Sequence, residues 1–167
     1  MKFKKFPFEF FKKSIDMKYT TEIKIIKPRT EVVEKFSNPD NMKHWQRGFI
    51  SMEPISGKLG EEGSKNMLKY KMGKRDIEME EKIIKNDLPA QFHANYSAKG
   101  VYNIQENFFE ETPEGHTLWI SHNEFSFSGF MKLMGLFMPG AFRKQSYQYM
   151  KDFKDFVENN KSVLNKK

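Results

Sequence analysis

Four histidines, His44, His93, His116 and His122, are the residues of this 167-residue chain best suited to moving a proton near neutral pH. No two stand at the HxH or HxxxH spacing that brings two imidazoles to one metal, and there is no cysteine. A metal site therefore has no local support, and disulfides and thiolate nucleophiles are excluded. His116 falls in a turn, where water solvates it. His122 shares a strand face with Leu118, Ile120 and Glu124, opposite Trp119, Ser121, Asn123 and Phe125. His44 stands beside Trp45 and can serve as a general acid only if a partner is positioned against it. Glu81 is in phase with Met79 and Ile83 on a strand, so it reads as a buried carboxylate that needs a partner or a raised pKa. Catalysis requires a convergent pair, and the sequence offers only the single candidates His44, Glu81 and His93. GKLGEEG lacks the Lys-Ser/Thr ending of a phosphate loop and bridges two strands, and no nicotinamide fingerprint is present, so no cofactor is expected.

Binding is better supported than catalysis. The chain holds 17 Phe and 11 Met, which supply large apolar area and side chains able to fit irregular space. With 38% hydrophobic and 31% charged residues it has the composition of one ordinary folded domain. The elements that must position those side chains follow from periodicity. Residues 18–27 alternate, with Tyr19, Thr21, Ile23 and Ile25 on one face, and Pro28 stops them. A short helix follows with Val32, Val33 and Phe36 on its apolar side, then a Ser-Asn-Pro-Asp turn and a second short helix reaching Trp45.

Six further strands are expected over residues 49–55, 64–72, 76–85, 90–98, 101–110 and 116–127, joined by short turns and hence antiparallel. Leu68, Tyr70 and Met72 share a face, as do Ile77, Met79 and Ile83. In residues 101–110 the choice is between a polar row, Asn103, Gln105 and Asn107, and a row of Tyr102, Ile104, Glu106 and Phe108. The more apolar row is the expected buried face, which turns the amides outward; His93 and Asn95 pose the same question. After residues 130–138 and a Pro139-Gly140 break, Phe142, Ser146, Tyr149, Phe153 and Val157 recur at helical spacing up to Asn159 and Asn160.

This order, with KYTTEIKIIKP, RTEVVEKFSNPDNMKHW, KIIKNDLP, GHTLWISHNEF and the final YMKDFKDFVENN, resembles the START-like or SRPBCC superfamily, in its polyketide cyclase/dehydrase and lipid-transport branch. The resemblance covers residues 17–160. It implies an α+β helix-grip fold: a curved antiparallel sheet of about seven strands around a long C-terminal helix, with two short helices after the first strand. It also implies a cavity between sheet and helix for a hydrophobic small molecule or lipid, in a carrier or sensor, or alternatively in a cyclase or dehydratase. If a hollow remains, its lining is Tyr19, Ile23, Leu68, Tyr70, Met72, Ile77, Met79, Trp119, Phe125, Phe142 and Tyr149, with ordinary core packing as the alternative for each. Trp45 is read at the mouth or as a packing anchor, and Met134, Phe137 and Met138 lie in the apolar segment 130–138, expected as a lid over the cavity, with a membrane contact or a buried turn of helix as the alternatives.

Residues 1–16 interleave five lysines with Phe3, Phe6, Phe8, Phe10 and Phe11 and carry +3 of the net +7 charge. They read as an appended tail, with peripheral membrane contact as the alternative. The other lysines are dispersed, so nucleic acid is not an expected partner. Residues 161–167 read as a charged tail. No signal-peptide pattern or membrane span is visible, and a cytoplasmic location is expected.

Overall fold

Alternation that is clean from Tyr19 onward runs back through Met17 to Ile15, so β1 (Ile15–Ile25) starts before the point at which periodicity alone placed it. The computed structural model describes residues 14–165. The five N-terminal phenylalanines read above as a tail or membrane contact lie outside the described residues. Pro28, which cannot continue the sheet ladder, precedes α1 (Arg29–Ser37), whose buried face is Val32 and Val33. Asn38 accepts the Asp40 N–H through its side chain and starts a 3-10 turn, Pro39–Asn41. That turn leads into α2 (Met42–Trp45), which buries Met42 and Trp45.

Six strands follow: β2 (Phe49–Ser56), β3 (Lys65–Met72), β4 (Arg75–Asp87), β5 (Gln91–Ala98), β6 (Val101–Glu111) and β7 (Thr117–Phe127). All seven make one antiparallel sheet in the order β1-β7-β6-β5-β4-β3-β2. β1 closes onto β7 without a register shift, from Ile15 opposite Phe127 to Ile25 opposite Thr117. A 3-10 turn and α3 (Lys132–Phe137) then lead into the long helix α4 (Pro139–Asn159). Pro139 and Gly140, expected as a break before that helix, form its first turn instead. The first N–H groups of a helix have no internal partner, so proline is tolerated there. Asn160 takes a left-handed conformation (φ 53°) that ends α4. Residues Val163–Asn165 make one 3-10 turn against α2. This is the helix-grip architecture: a curved sheet with α4 along its concave side and α1 and α2 at one end.

The concave face at that end is an aromatic wall. Phe36 places its ring 4.9–6.0 Å from those of Trp45, Phe92, Phe109, Trp119 and Phe153. Ile25, Val32, Met150 and Val157 complete the cluster. A charged clamp holds α4 to the loop after α2: Arg47 donates from Nε and Nη2 to the buried Asp152 carboxylate at 2.6 and 3.0 Å. Gly48 beside it is fixed by geometry, since a Cβ there would stand 2.1 Å from the Lys71 carbonyl oxygen and φ is +78°.

The orientation of β6 reverses the expectation. Val101, Asn103, Gln105, Asn107 and Phe109 face inward, and Tyr102, Ile104, Glu106 and Phe108 face out. Phe109 packs on Trp119 in the aromatic wall, and a period of two then carries the three amides to the same face. The outer apolar residues find partners among polar neighbours. Phe108 lies against His93 and His122, and Tyr102 accepts a hydrogen bond from Asn95.

Candidate functional site

The middle of the concave face is polar. Register places Tyr19 and Thr21 of β1, Ser121 and Asn123 of β7, Asn103, Gln105 and Asn107 of β6, and Tyr96 of β5 on one inward surface. It continues onto β4 and β3 with Glu81 and Asn66. Gln105 donates to Ser121 Oγ at 3.2 Å, Asn123 donates to the same oxygen at 3.1 Å, and Trp119 Nε1 donates to Asn107 at 3.0 Å. Tyr19 and Ser146 of α4 share a hydrogen bond of 2.8 Å across the interior. Among the described residues the Thr21 hydroxyl, directly opposite Ser121, is buried without a hydrogen-bond partner, as are three atoms outside the belt, Trp45 Nε1, His93 Nε2 and His116 Nδ1. A buried polar atom left unpaired costs about 1–3 kcal/mol, so such atoms usually mark a bound water or ligand.

Glu81 is the one carboxylate on this surface. Burial pushes its pKa above the usual carboxylate range, while hydrogen bonds from Asn66 (3.0 Å) and Tyr96 (3.1 Å) pull the other way. Burial also holds the phenols of Tyr70 and Tyr96 well above their ordinary value and pushes Tyr19 up to about 12, so all three are neutral donors at pH 7. Tyr70 donates to Gln46 at the end of α2. Apolar side chains flank the polar belt on both sides. Met79 and Leu68 lie toward the sheet edge, and Phe125, Phe127 and Phe142 meet at ring distances of 4.9–5.9 Å toward α3. Tyr19, Tyr96, Gln105, Phe125, Phe142 and Tyr149 point inward yet stay partly accessible, so α4 does not seal this half of the sheet as it seals the aromatic end.

The expected lining residues divide three ways. Tyr19, Leu68, Tyr70, Ile77, Met79, Phe125, Phe142 and Tyr149 fall on or beside this surface. Trp45 and Trp119 are buried in the aromatic wall instead. Met72 is exposed at the β3–β4 hairpin, and Met134, Phe137 and Met138 are exposed on α3 and the link to α4. The catalytic candidates do not converge. His93 lies on the convex face with Nδ1 3.9 Å from Glu106, and burial lowers its pKa. His44 stacks on Phe156 and shares a hydrogen bond of 3.0 Å with Ser162. Only Glu81 faces the interior. His122 is exposed on the convex face, bonded to Thr20.

Thr21, Asn66, Tyr96, Ser121 and Asn123 were not singled out as site residues from sequence. Val101 and Phe109, in phase with the amides of β6, were the available signal. Among the described residues one surface cleft of about 390 Å³ is lined by Gln46, Arg47, Phe49, Lys71 and Leu164, and another of about 570 Å³ runs along the convex face beside Thr20 and His122. Neither lies on the concave surface. Among the described residues no His, Asp and Glu side chains gather in threes to hold a metal ion, and no helix is long and apolar enough to cross a membrane.

No protein-family model and no curated protein sequence matches the chain. Solved structures do. A protein of unknown function from Staphylococcus aureus superposes with a TM-score of 0.71 at 12% identity, covering 88% of this chain and 96% of that one. Ara h 8.0201 gives 0.68 at 13% identity, covering 85% and 97%. Truncated norcoclaurine synthase from Thalictrum flavum gives 0.66 at 15% identity, covering 87% and 96%. At such identities the likeness is one of fold, and the fold that this chain shares with these structures is the helix grip.

Proposed function

We propose that the chain is a START-like binding protein that holds a hydrophobic small molecule or lipid between α4 and the concave face of the sheet, as a carrier or sensor. The observation that carries this reading is the inward polar belt around Gln105, with the unpartnered Thr21 hydroxyl in its midst. A sheet built for stability alone places apolar residues there, because a half-satisfied polar network is worse than an apolar core. A guest with one neutral polar group would complete the hydrogen bonding, while Phe125, Phe142 and Met79 meet its apolar body. Apart from Glu81 the belt is uncharged, which favours carbonyl, hydroxyl or amide chemistry over a carboxylate.

Native mass spectrometry of the purified protein, followed by denaturation and identification of what is released, tests this directly. The expected result is a stoichiometric adduct that yields an apolar compound with a single polar end. A protein that is empty as purified and then fails to take up any member of a panel of fatty acids, sterols and polycyclic aromatics would sink the proposal.

A second reading, acid–base chemistry of the cyclase or dehydratase kind, rests on Glu81. A buried carboxyl with a raised pKa next to a phenol is a usable proton donor. A norcoclaurine synthase mutant of this fold has been solved with a transition state analogue, so the architecture is able to house a catalysed reaction. Glu81→Gln should then abolish turnover of a bound substrate without abolishing its binding.

A further inference from the structure

The outer side of α3 is apolar in a way that neither the fold nor the interior site requires. The helix is seated firmly: Lys132 is fully buried, and Gly135 lies so close to Phe127 that a Cβ would stand 2.5 Å from the ring. Met131, in the preceding turn, rests on Gly100, where a Cβ would meet its side chain at 2.9 Å. These contacts fix which side faces water. That side carries Phe130 at 75% exposure and Phe137 at 66%, with Met134, Leu136 and Met138 also exposed. A cluster of this kind on a folded protein usually marks a docking surface.

Its electrostatic setting identifies the partner. From Phe125 to Lys151 the chain contains no Asp or Glu, and its exposed cations there are Arg143, Lys144 and Lys151. Arg143 and Lys144 are exposed on the first turns of α4, immediately after the apolar cluster. Further along, Lys151 lies over the exposed Tyr147 ring at 5.5 Å. Lys99 is exposed in the turn that supports Met131. Bulky apolar side chains flanked by cations, with Tyr147 beside them, are the arrangement that enters the boundary of an anionic bilayer. A second copy of the chain is disfavoured, because a two-fold contact through this face would set the same cations against one another. We propose that the outer face of α3 and the start of α4 dock on anionic lipid bilayers. This does not depend on the interior ligand.

The test is co-sedimentation of the full chain with vesicles of equal parts phosphatidylcholine and phosphatidylglycerol, and with pure phosphatidylcholine. Binding is expected to the mixed vesicles only, and to fall as salt is raised. Phe130→Ser with Phe137→Ser should weaken it by about tenfold or more, since each exposed ring contributes its burial in the interface. Arg143→Gln with Lys144→Gln should weaken it by about fivefold per charge removed. All four residues are exposed, and an unchanged thermal melt confirms that each variant is folded. No binding to mixed vesicles overturns the proposal. So does binding that ignores all four substitutions, which would assign it to residues 1–16. Light scattering that shows a dimer dispersed by the same variants also overturns it, in favour of a second copy.

Discussion

The two halves of the concave face share one sheet and one helix, yet they are built on opposite rules. At the α1–α2 end Phe36, Trp45, Phe109, Trp119 and Phe153 pack ring against ring and exclude water. A few strand positions away the same faces of β6 and β7 present Gln105, Asn103, Ser121 and Asn123. The first half has its residues committed to one another and supplies stability. The second buries Asn103, Ser121 and Asn123 in a polar network, leaves the Thr21 hydroxyl without a partner among the described residues, and gives only Gln105 of the four partial access to water. On the proposed function, the aromatic end is the rigid base that holds the binding surface.

The largest effect should come from breaking the base. Trp119→Ala removes the ring that touches Phe36, Phe109 and Phe153 and leaves Asn107 without its donor, so a loss of about 3–5 kcal/mol is expected in a denaturant or thermal melt. Next comes the clamp. Arg47→Met leaves the Asp152 carboxylate buried without its cation, which destabilises by about 2 kcal/mol, below the figure for fully buried pairs because Arg47 is half exposed. The same melt reads it, and an unchanged midpoint would show that the pair does not hold α4.

The third prediction concerns the polar half. Glu81 has a raised pKa in the folded protein, so the native state holds its proton more tightly than the unfolded chain does. The stability linked to this proton is fully present below the ordinary carboxylate value and is lost as pH rises through the folded value. Glu81→Gln should therefore be more stable than the parent at neutral pH, and the gap should close in acid. A constant difference across pH would mean that the Glu81 carboxyl is not the titrating group.

Much of the scaffold was legible in the sequence, because alternation, turn residues and the Phe142–Val157 spacing report burial directly. The helix boundary at Pro139 was not, since proline reads as a breaker until its place in the first turn is known. The site was harder still. Periodicity says which residues of β6 share a face but not which face is inside, and counting apolar residues chose wrongly at Asn103, Gln105 and Asn107. Phe109, drawn inward by Trp119, decides the matter through a contact between strands. Trp119 does face inward as its strand phase requires, but packing uses it for the wall, and of the two readings of Trp45 the structure shows the packing anchor.

On the proposed function, the polar belt binds a guest and does not merely fill space. The most direct test is titration of the full chain with Nile red, an uncharged apolar dye with a carbonyl acceptor, against the double variant Thr21→Val/Gln105→Leu. Saturable binding is expected in the parent and about tenfold weaker binding in the variant, with an unfolding free energy that stays within about 1 kcal/mol of the parent's. Equal affinity in the two proteins, or no saturable binding in the parent, would contradict the account.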